Sequence, residues 1–235
     1  MAAVNVLVYN GPGTAVSSTE RTLSVLRMLL KGRYDVLAAG ADVLTHADRA
    51  WHASTALLVV PGGRDVPYVE SLGTRGSTAI ADYVRGGGSY LGICAGAYFA
   101  SSALEFEKGT ALEVAGKRSL ALANVVARGS ASPGFVYDSE EGAATIHIDV
   151  NLDILGPLPN ASRPYRVASY CNGAPYFDLI DPASVQVLAK YDSLEVIPAA
   201  REKAAIIQTN FGKGHVILMG PHLEHENTLP GGIIF

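Results

Sequence analysis

The chain has 235 residues, of which 49% are apolar and 17% charged, and its formal net charge is −4. This is the composition of a well-buried globular protein, which excludes a disordered chain, and the length suits one domain over residues 1–235. The basic residues are scattered, and the longest apolar runs fall well short of the ~20 residues of a membrane span, so neither a nucleic acid nor a membrane is expected as partner.

Short apolar runs alternate with helical patterns along the first hundred residues. Strands are predicted over residues 4–9, 34–38, 57–60 and 89–93. A first helix is predicted around Leu23, Leu26, Leu29 and Leu30, which share one face, with Ser17, Ser18 and Thr19 as candidate N-caps. Two further helices are predicted over residues 78–85 and 95–103. Strands that are apolar on both faces and separated by helices indicate a parallel sheet covered on both sides.

The second half of the chain changes pattern. Residues 145–150 alternate strictly between polar and apolar side chains, which predicts a strand with one solvated face. Two further strands, residues 204–210 and 215–219, flank a glycine-containing turn and predict a hairpin. The fold class expected is α/β: a doubly wound, mostly parallel sheet flanked by helices, with an antiparallel extension in the second half.

Cys94 lies in the sequence Gly92-Ile93-Cys94-Ala95-Gly96, between a predicted strand and a predicted helix. This is the nucleophile-elbow pattern with cysteine in place of serine, and the tight turn requires Gly92 and Gly96 to be free of side chains. Two cysteines and 25 glycines in 235 residues give roughly 0.02 chance matches to this pattern. The helix N-terminus would stabilise a thiolate, and the Ala95 N–H would point at an oxyanion.

A histidine and a glutamate follow the last predicted strand, at His222 and Glu224. A thiol nucleophile needs a base, and a carboxylate two residues away can orient the imidazole. His225 and Glu226 in the same loop leave the pairing open. The other histidines, at positions 46, 52, 147 and 215, fit no such pattern and are interpreted as structural.

Further binding groups are expected in the loops that follow the strands. The Pro61-Gly62-Gly63 turn allows close backbone approach, so the Gly63 N–H is predicted to complete an oxyanion hole. Five polar residues are candidates for substrate binding or, equally, for turn and capping roles. They are Asn10, Arg64, Asp65, Tyr98 and Asn172.

The strand–Gly-Gly, Gly-x-Cys-x-Gly and His-x-Glu pieces, in this order, resemble the class I glutamine-amidotransferase-like superfamily. More specifically, the chain resembles the N-terminal domain of fungal and other eukaryotic biotin–protein ligases. Matching stretches are residues 6–13, 61–68, 92–99, 105–106, 135–142, 170–173 and 212–222. The resemblance implies a site at the carboxyl ends of the strands, with Cys94 as nucleophile, His222 as base and Glu224 as orienter. One departure is Leu223, where the superfamily has proline.

The function expected is that of a cysteine-dependent hydrolase or transferase acting on a small amide-like C–N substrate through a thioester. A non-catalytic regulatory or interaction module with a protein partner is the alternative, and a redox pair of Cys94 with Cys171 is a third. The stretch that resembles the ligases is not expected to ligate biotin by itself. No cofactor and no metal are predicted. The expected location is the cytoplasm, with a secreted form that has lost its leader as the alternative.

Overall fold

The computed structural model describes residues 4–156 and 164–225. Its helices are α1 (Val16–Leu30), α2 (Ala41–Thr45), α3 (Trp51–Ser54), α4 (Asp65–Arg85), α5 (Ala95–Ala100) and α6 (Leu152–Leu155). Its strands are β1 (Asn5–Tyr9), β2 (Asp35–Ala39), β3 (Thr55–Val60), β4 (Ser89–Ile93), β5 (Ser101–Phe106), β6 (Val114–Lys117), β7 (Ala123–Gly129), β8 (Ala144–Val150), β9 (Tyr165–Cys171), β10 (Tyr176–Leu179), β11 (Val185–Tyr191), β12 (Ala204–Phe211) and β13 (Gly214–Met219).

All thirteen described strands join one mixed sheet, whose main path runs β2-β1-β3-β4-β13-β12-β10-β7-β5-β6. The strands from β2 to β13 along this path are parallel neighbours, and β12 pairs antiparallel with β13. Strands β11, β8 and β9 extend the antiparallel part from β12. The predicted α/β class, with an antiparallel extension in the second half, is confirmed, and that extension is larger than the sequence indicated.

Helices cover both faces of the parallel part. On one face, Leu23, Leu26 and Leu30 of α1 pack against buried valines of β1, β2 and β3. On the other face, α4 and α5 pack against Leu7 and Leu58. Leu29 was predicted to share one face with the other three leucines of α1, but it does not pack with them and is 38% exposed.

Two helices differ in length from their predictions. Helix α4 begins at Asp65 rather than Thr78, and Gly73 interrupts it with non-helical backbone angles (φ 55°, ψ −164°). Helix α5 ends at Ala100 rather than Ala103, because residues 101–106 form β5, in which Leu104 and Phe106 are buried. Among residues 4–156 and 164–225, no helix is both long enough and apolar enough to cross a membrane.

Candidate active site

Cys94 occupies the predicted elbow between β4 and α5. Its backbone angles are φ 49° and ψ −104°, and its side chain is buried. The Cys94 N–H donates to the carbonyl of Met219 (2.8 Å), which ties the elbow to β13. A Cβ at Gly92 would lie 2.6 Å from the Gly96 oxygen, and a Cβ at Gly96 would lie 2.0 Å from the Val60 oxygen. Both positions therefore require glycine, as the elbow pattern predicts.

His222 and Glu224 follow β13, which pairs in parallel with β4. Parallel pairing brings the carboxyl ends of the two strands to the same sheet edge, so both residues come to lie beside Cys94. The Nδ1 atom of His222 is 2.7 Å from Oε1 of Glu224, and both side chains are buried. The Cys94 thiol is close enough to interact with the His222 ring. The structure thus brings together the three residues predicted to act together.

The charges of this group stabilise one another. Burial by itself lowers the pKa of His222, but the Glu224 carboxylate and then Cys94 raise this pKa well above its ordinary value. Burial likewise raises the pKa of Glu224, and the charge on His222 brings it below the ordinary value. An imidazolium paired with a carboxylate is therefore the favoured state of the two buried side chains.

His225, the other histidine of this loop, has a different environment. Its ring stacks on Tyr170, with centroids 4.3 Å apart and 12° between the planes. Burial, followed by the positive charge of His222, lowers the pKa of His225 to about 4. His225 is therefore neutral near pH 7, and it is His222 that bonds to Glu224. Glu226, the other alternative in this loop, lies outside the described residues.

The two predicted oxyanion donors follow the neighbouring parallel strands β3 and β4. Gly63 is exposed and has φ 149°, and Ala95 is the first residue of α5, so its N–H has no acceptor within the helix. Helix α5 has only six residues, which weakens the dipole contribution that a longer helix would make. The Gly62 N–H, by contrast, already donates to Oγ of Ser18 (3.0 Å).

A metal ion could be held by one group of side chains among those described. Ligand atoms of His222, Glu224 and His225 all lie within 4.8 Å of one another. The first two already share a 2.7 Å hydrogen bond, which coordination through the same atoms would break. The expectation of a metal-free site stays a prediction.

Comparisons with known proteins place this geometry in a family. A family model described as "Biotin-protein ligase, N terminal" matches residues 4–230. The biotin–protein ligase of Schizosaccharomyces pombe is 37% identical over 223 residues, which are 94% of this chain and 33% of the ligase. An uncharacterized protein of Chlamydia muridarum is 33% identical over 223 residues, which are 94% of this chain and 80% of that protein.

This chain belongs to the biotin–protein ligase N-terminal family. It spans about a third of the length of the fission-yeast ligase that it matches. Among solved structures, a ThuA-like protein from Bacteroides uniformis has a TM-score of 0.60 at 12% identity, covering 97% of this chain and 86% of that one. A glutamine amidotransferase has a TM-score of 0.57 at 17% identity, covering 95% and 91% of the two chains. At these identities the two structures support the fold alone.

In this family member, the residues predicted to bind substrate are already engaged to different degrees. Arg64 pairs with Asp138, and its guanidinium lies 4.4 Å from the Tyr137 ring centroid. Asp65 forms a buried 2.6 Å ion pair with Arg118, although burial still raises the Asp65 pKa. Two of the predicted residues therefore have structural partners within the chain.

Of the other three residues, Asn172 contacts the thiol through its backbone. The carbonyls of Asn172 and Gly173 each lie 3.9 Å from the Cys94 sulfur, and the Tyr98 hydroxyl donates to the Gly173 carbonyl (3.2 Å). Asn10 is exposed after β1, and its N–H donates to the Ala39 carbonyl. Substrate contacts by any of these residues remain predictions.

A loop formed by residues 134–142 borders the site, and we refer to it as the border loop. Its ends meet at Gly134 and Gly142, which have φ near 79° and 78°. Asn172 donates through Nδ2 to the Ser139 carbonyl (3.0 Å), and the Tyr170 hydroxyl donates to Glu140 (2.6 Å). Together with the Arg64–Asp138 ion pair, these contacts attach the loop to three residues around Cys94.

Sequence reasoning missed the role of Ser18 in this arrangement. Ser18 was predicted as a helix N-cap, but Ala15 is the N-cap of α1 and makes no side-chain capping bond. Ser18 is instead buried, and its hydroxyl donates to Oε1 of Glu224 (3.0 Å). No spacing signal points to this contact, because the two residues are 206 positions apart.

Cys171, the second cysteine, is fully buried and unpaired. Its sulfur lies 3.7 Å from Oγ of Ser132, and burial raises its pKa. A raised pKa disfavours the thiolate that disulfide exchange requires. A redox pair with Cys94 stays an untested prediction.

Proposed function

We propose that this chain is a cysteine-dependent hydrolase or transferase of small amide-like C–N substrates, with Cys94 as nucleophile, His222 as acid and base, and Glu224 as orienter. The observation that carries the proposal is the buried His222–Glu224 hydrogen bond of 2.7 Å beside a cysteine in a strained elbow. A strained non-glycine residue costs about 1–3 kcal/mol and is found mainly where function requires it.

The reaction would proceed in two steps. The Cys94 thiolate attacks the carbonyl carbon, and the N–H groups of Ala95 and Gly63 hold the oxyanion that forms. The C–N bond then breaks as the protonated His222 gives its proton to the leaving nitrogen, which leaves a thioester on Cys94. Water or an acceptor amine, deprotonated by His222, attacks the thioester, and the acyl group leaves while the thiolate re-forms beside the protonated imidazole.

The test is the rate of Cys94 alkylation by iodoacetamide as a function of pH, read by mass spectrometry of the Cys94 peptide. The native protein is expected to react at pH 6.5 nearly as fast as at pH 8. His222→Ala is expected to react many times more slowly at pH 6.5, since an unperturbed thiol is only about 1% ionised there. A native profile like that of an ordinary thiol, unchanged in His222→Ala, would overturn the proposal.

Turnover is tested separately with a panel of small primary amides. The native protein is expected to release ammonia from at least one of them, and Cys94→Ser and His222→Ala are expected to release none above background. In the alkylation assay, the fully buried Cys171 serves as an internal standard, because iodoacetamide should label it slowly in every variant.

A non-catalytic interaction module is the second candidate. The observation in its favour is that Arg64 and Asn172, predicted to bind substrate, are engaged by the border loop at Asp138 and Ser139. The relationship to part of a biotin–protein ligase would then reflect a regulatory role. A partner retained by Cys94→Ala in a pull-down, together with no hydrolysis of the amide panel, would support this alternative.

A further inference from the structure

Ser18 connects two loops of the site from a third element. It lies near the start of α1, whereas Gly62 follows β3 and Glu224 follows β13. Its side chain is 2% exposed, so water does not compete for its hydrogen bonds. Both contacts are 3.0 Å long: the Gly62 N–H donates to Ser18 Oγ, and the Ser18 hydroxyl donates to Oε1 of Glu224.

The direction of the Ser18 hydroxyl is determined by these partners. The Gly62 N–H can only donate, so it occupies a lone pair of Oγ. The ionised Glu224 carboxylate can only accept, so the Ser18 proton must point at it. A hydrogen bond to a charged acceptor is stronger than one between neutral groups, so Ser18 stabilises the ionised carboxylate in one orientation.

The same oxygen of Glu224 receives the bond from His222. Oε1 accepts from Ser18 at 3.0 Å and from Nδ1 of His222 at 2.7 Å. The His222 ring also packs against the Gly62 backbone, since a Cβ on that residue would lie 2.5 Å from Cε1. Ser18 is therefore bonded to both groups that fix the His222 ring. These groups are the Glu224 carboxylate, which bonds to the ring, and the Gly62 backbone, against which the ring packs.

We propose that Ser18 is a positioning residue of this site, which fixes Glu224 and the Gly62 turn so that His222 presents its other nitrogen to Cys94. This inference rests on the function proposed above. Ser18 contacts no reacting atom, and its effect on His222 is expected to pass mainly through the Glu224 carboxylate and to a smaller extent through the Gly62 turn.

The experiment is a double-mutant cycle read by the pH profile of Cys94 alkylation. Ser18→Ala is expected to slow alkylation at pH 6.5 on the order of tenfold, the effect of losing one hydrogen bond to a charged group. In a Glu224→Ala background, the same substitution is expected to change the rate much less, by about twofold, because the main route through Glu224 is gone and only the Gly62 turn remains. Ser18→Thr, which keeps the hydroxyl, is expected to recover part of the native rate.

Ser17→Ala is the matched control, because Ser17 is the adjacent serine on α1 and is exposed. It is expected to leave the profile unchanged. A native profile that depends on His222 but is identical in Ser18→Ala would overturn the role of Ser18 alone. Equal losses in both backgrounds would show a general structural role and would also overturn it. A native profile that does not depend on His222 would overturn the proposed function, and the role of Ser18 with it.

Discussion

Cys94 adopts backbone angles that non-glycine residues rarely adopt, and glycines on both sides allow it to do so. The Cys94 N–H bond to Met219 and the close approach of Gly96 to Val60 hold the strained turn in place. Contacts with the two neighbouring strands, β13 and β3, thus stabilise the strained backbone of Cys94.

Gly62→Ala tests how closely the His222 ring is held. The added methyl would lie 2.5 Å from Cε1 of His222 and 3.0 Å from Oγ of Ser18, so the ring must move. We expect Cys94 alkylation at pH 6.5 to slow on the order of tenfold or more, because small displacements of reacting groups have large effects on rate. Circular dichroism controls for folding, and a native rate in a folded variant would contradict the prediction.

His225 predicts a pH dependence of stability. Its folded pKa of about 4 lies below its ordinary value of 6.5, so between these pH values the unfolded chain binds more protons than the folded one. The His225 contribution to the free energy of unfolding is therefore expected to fall as pH falls from 6.5 to 4.

Urea unfolding of native protein and of His225→Asn across this range measures the effect. As pH falls, the free energy of unfolding of the native protein is expected to decrease relative to that of His225→Asn. Above pH 7 the difference between the two proteins is expected to be constant. Parallel stability curves down to pH 4 would contradict the lowered pKa.

At the scale of elements, α1 serves two functions at once. Leu23, Leu26 and Leu30 attach it to the sheet, while Ser18 reaches from its first turns into the site. The border loop is attached in two ways: its tip makes polar contacts, and Phe135 and Tyr137 pack against Phe106 of the core. The polar contacts at the tip are expected to control local opening there, while the two aromatic side chains keep the start of the loop on the core.

Tyr170→Phe tests this attachment. It removes the bond from the Tyr170 hydroxyl to Glu140 and is expected to raise amide hydrogen exchange in the border loop about fivefold, the effect of one hydrogen bond. Asp138→Asn is expected to have less effect, because the Arg64 and Asp138 side chains are 44% and 82% exposed and exposed ion pairs contribute little.

Mass spectrometry of exchange would locate the change, with the β12–β13 hairpin as an internal control that should not alter. A larger increase in border-loop exchange in Asp138→Asn than in Tyr170→Phe would contradict the prediction that the Tyr170 bond contributes more to the attachment than the Arg64–Asp138 ion pair.

At the scale of the molecule, one sheet joins two regions with separate apolar clusters. Trp51 belongs to the cluster beneath the parallel strands, and Ile148 belongs to the cluster of the antiparallel extension. Strand β12 connects the regions, since it pairs with β11 along one edge and with β13 and then β10 along the other. We expect the two regions to unfold together as a single domain.

Ile148→Ala tests this cooperativity. Removing a fully buried isoleucine side chain is expected to lower stability by about 2–5 kcal/mol. Fluorescence of Trp51, the single tryptophan, and far-ultraviolet circular dichroism should show the same shift in midpoint. Ile180→Ala, at a 55% exposed position, is the control and should change little. An unmoved Trp51 transition would indicate two independent domains.

The sequence by itself determined the positions of the strands in the first half, the β12–β13 hairpin and the elbow at Cys94. These follow from local signals, since periodicity reports burial and glycine reports tight turns. The sequence also predicted the pairing of His222 with Glu224, because the two residues are two positions apart in one loop.

Only the tertiary structure decided the rest. The short α5, the attachment of the border loop and the role of Ser18 depend on contacts between residues far apart in the chain. Ser18 reads locally as a helix cap, and its burial against Glu224 arises only when parallel pairing brings the ends of β3, β4 and β13 to one edge. A side chain's partner across 206 residues is set by packing, and no local pattern records it.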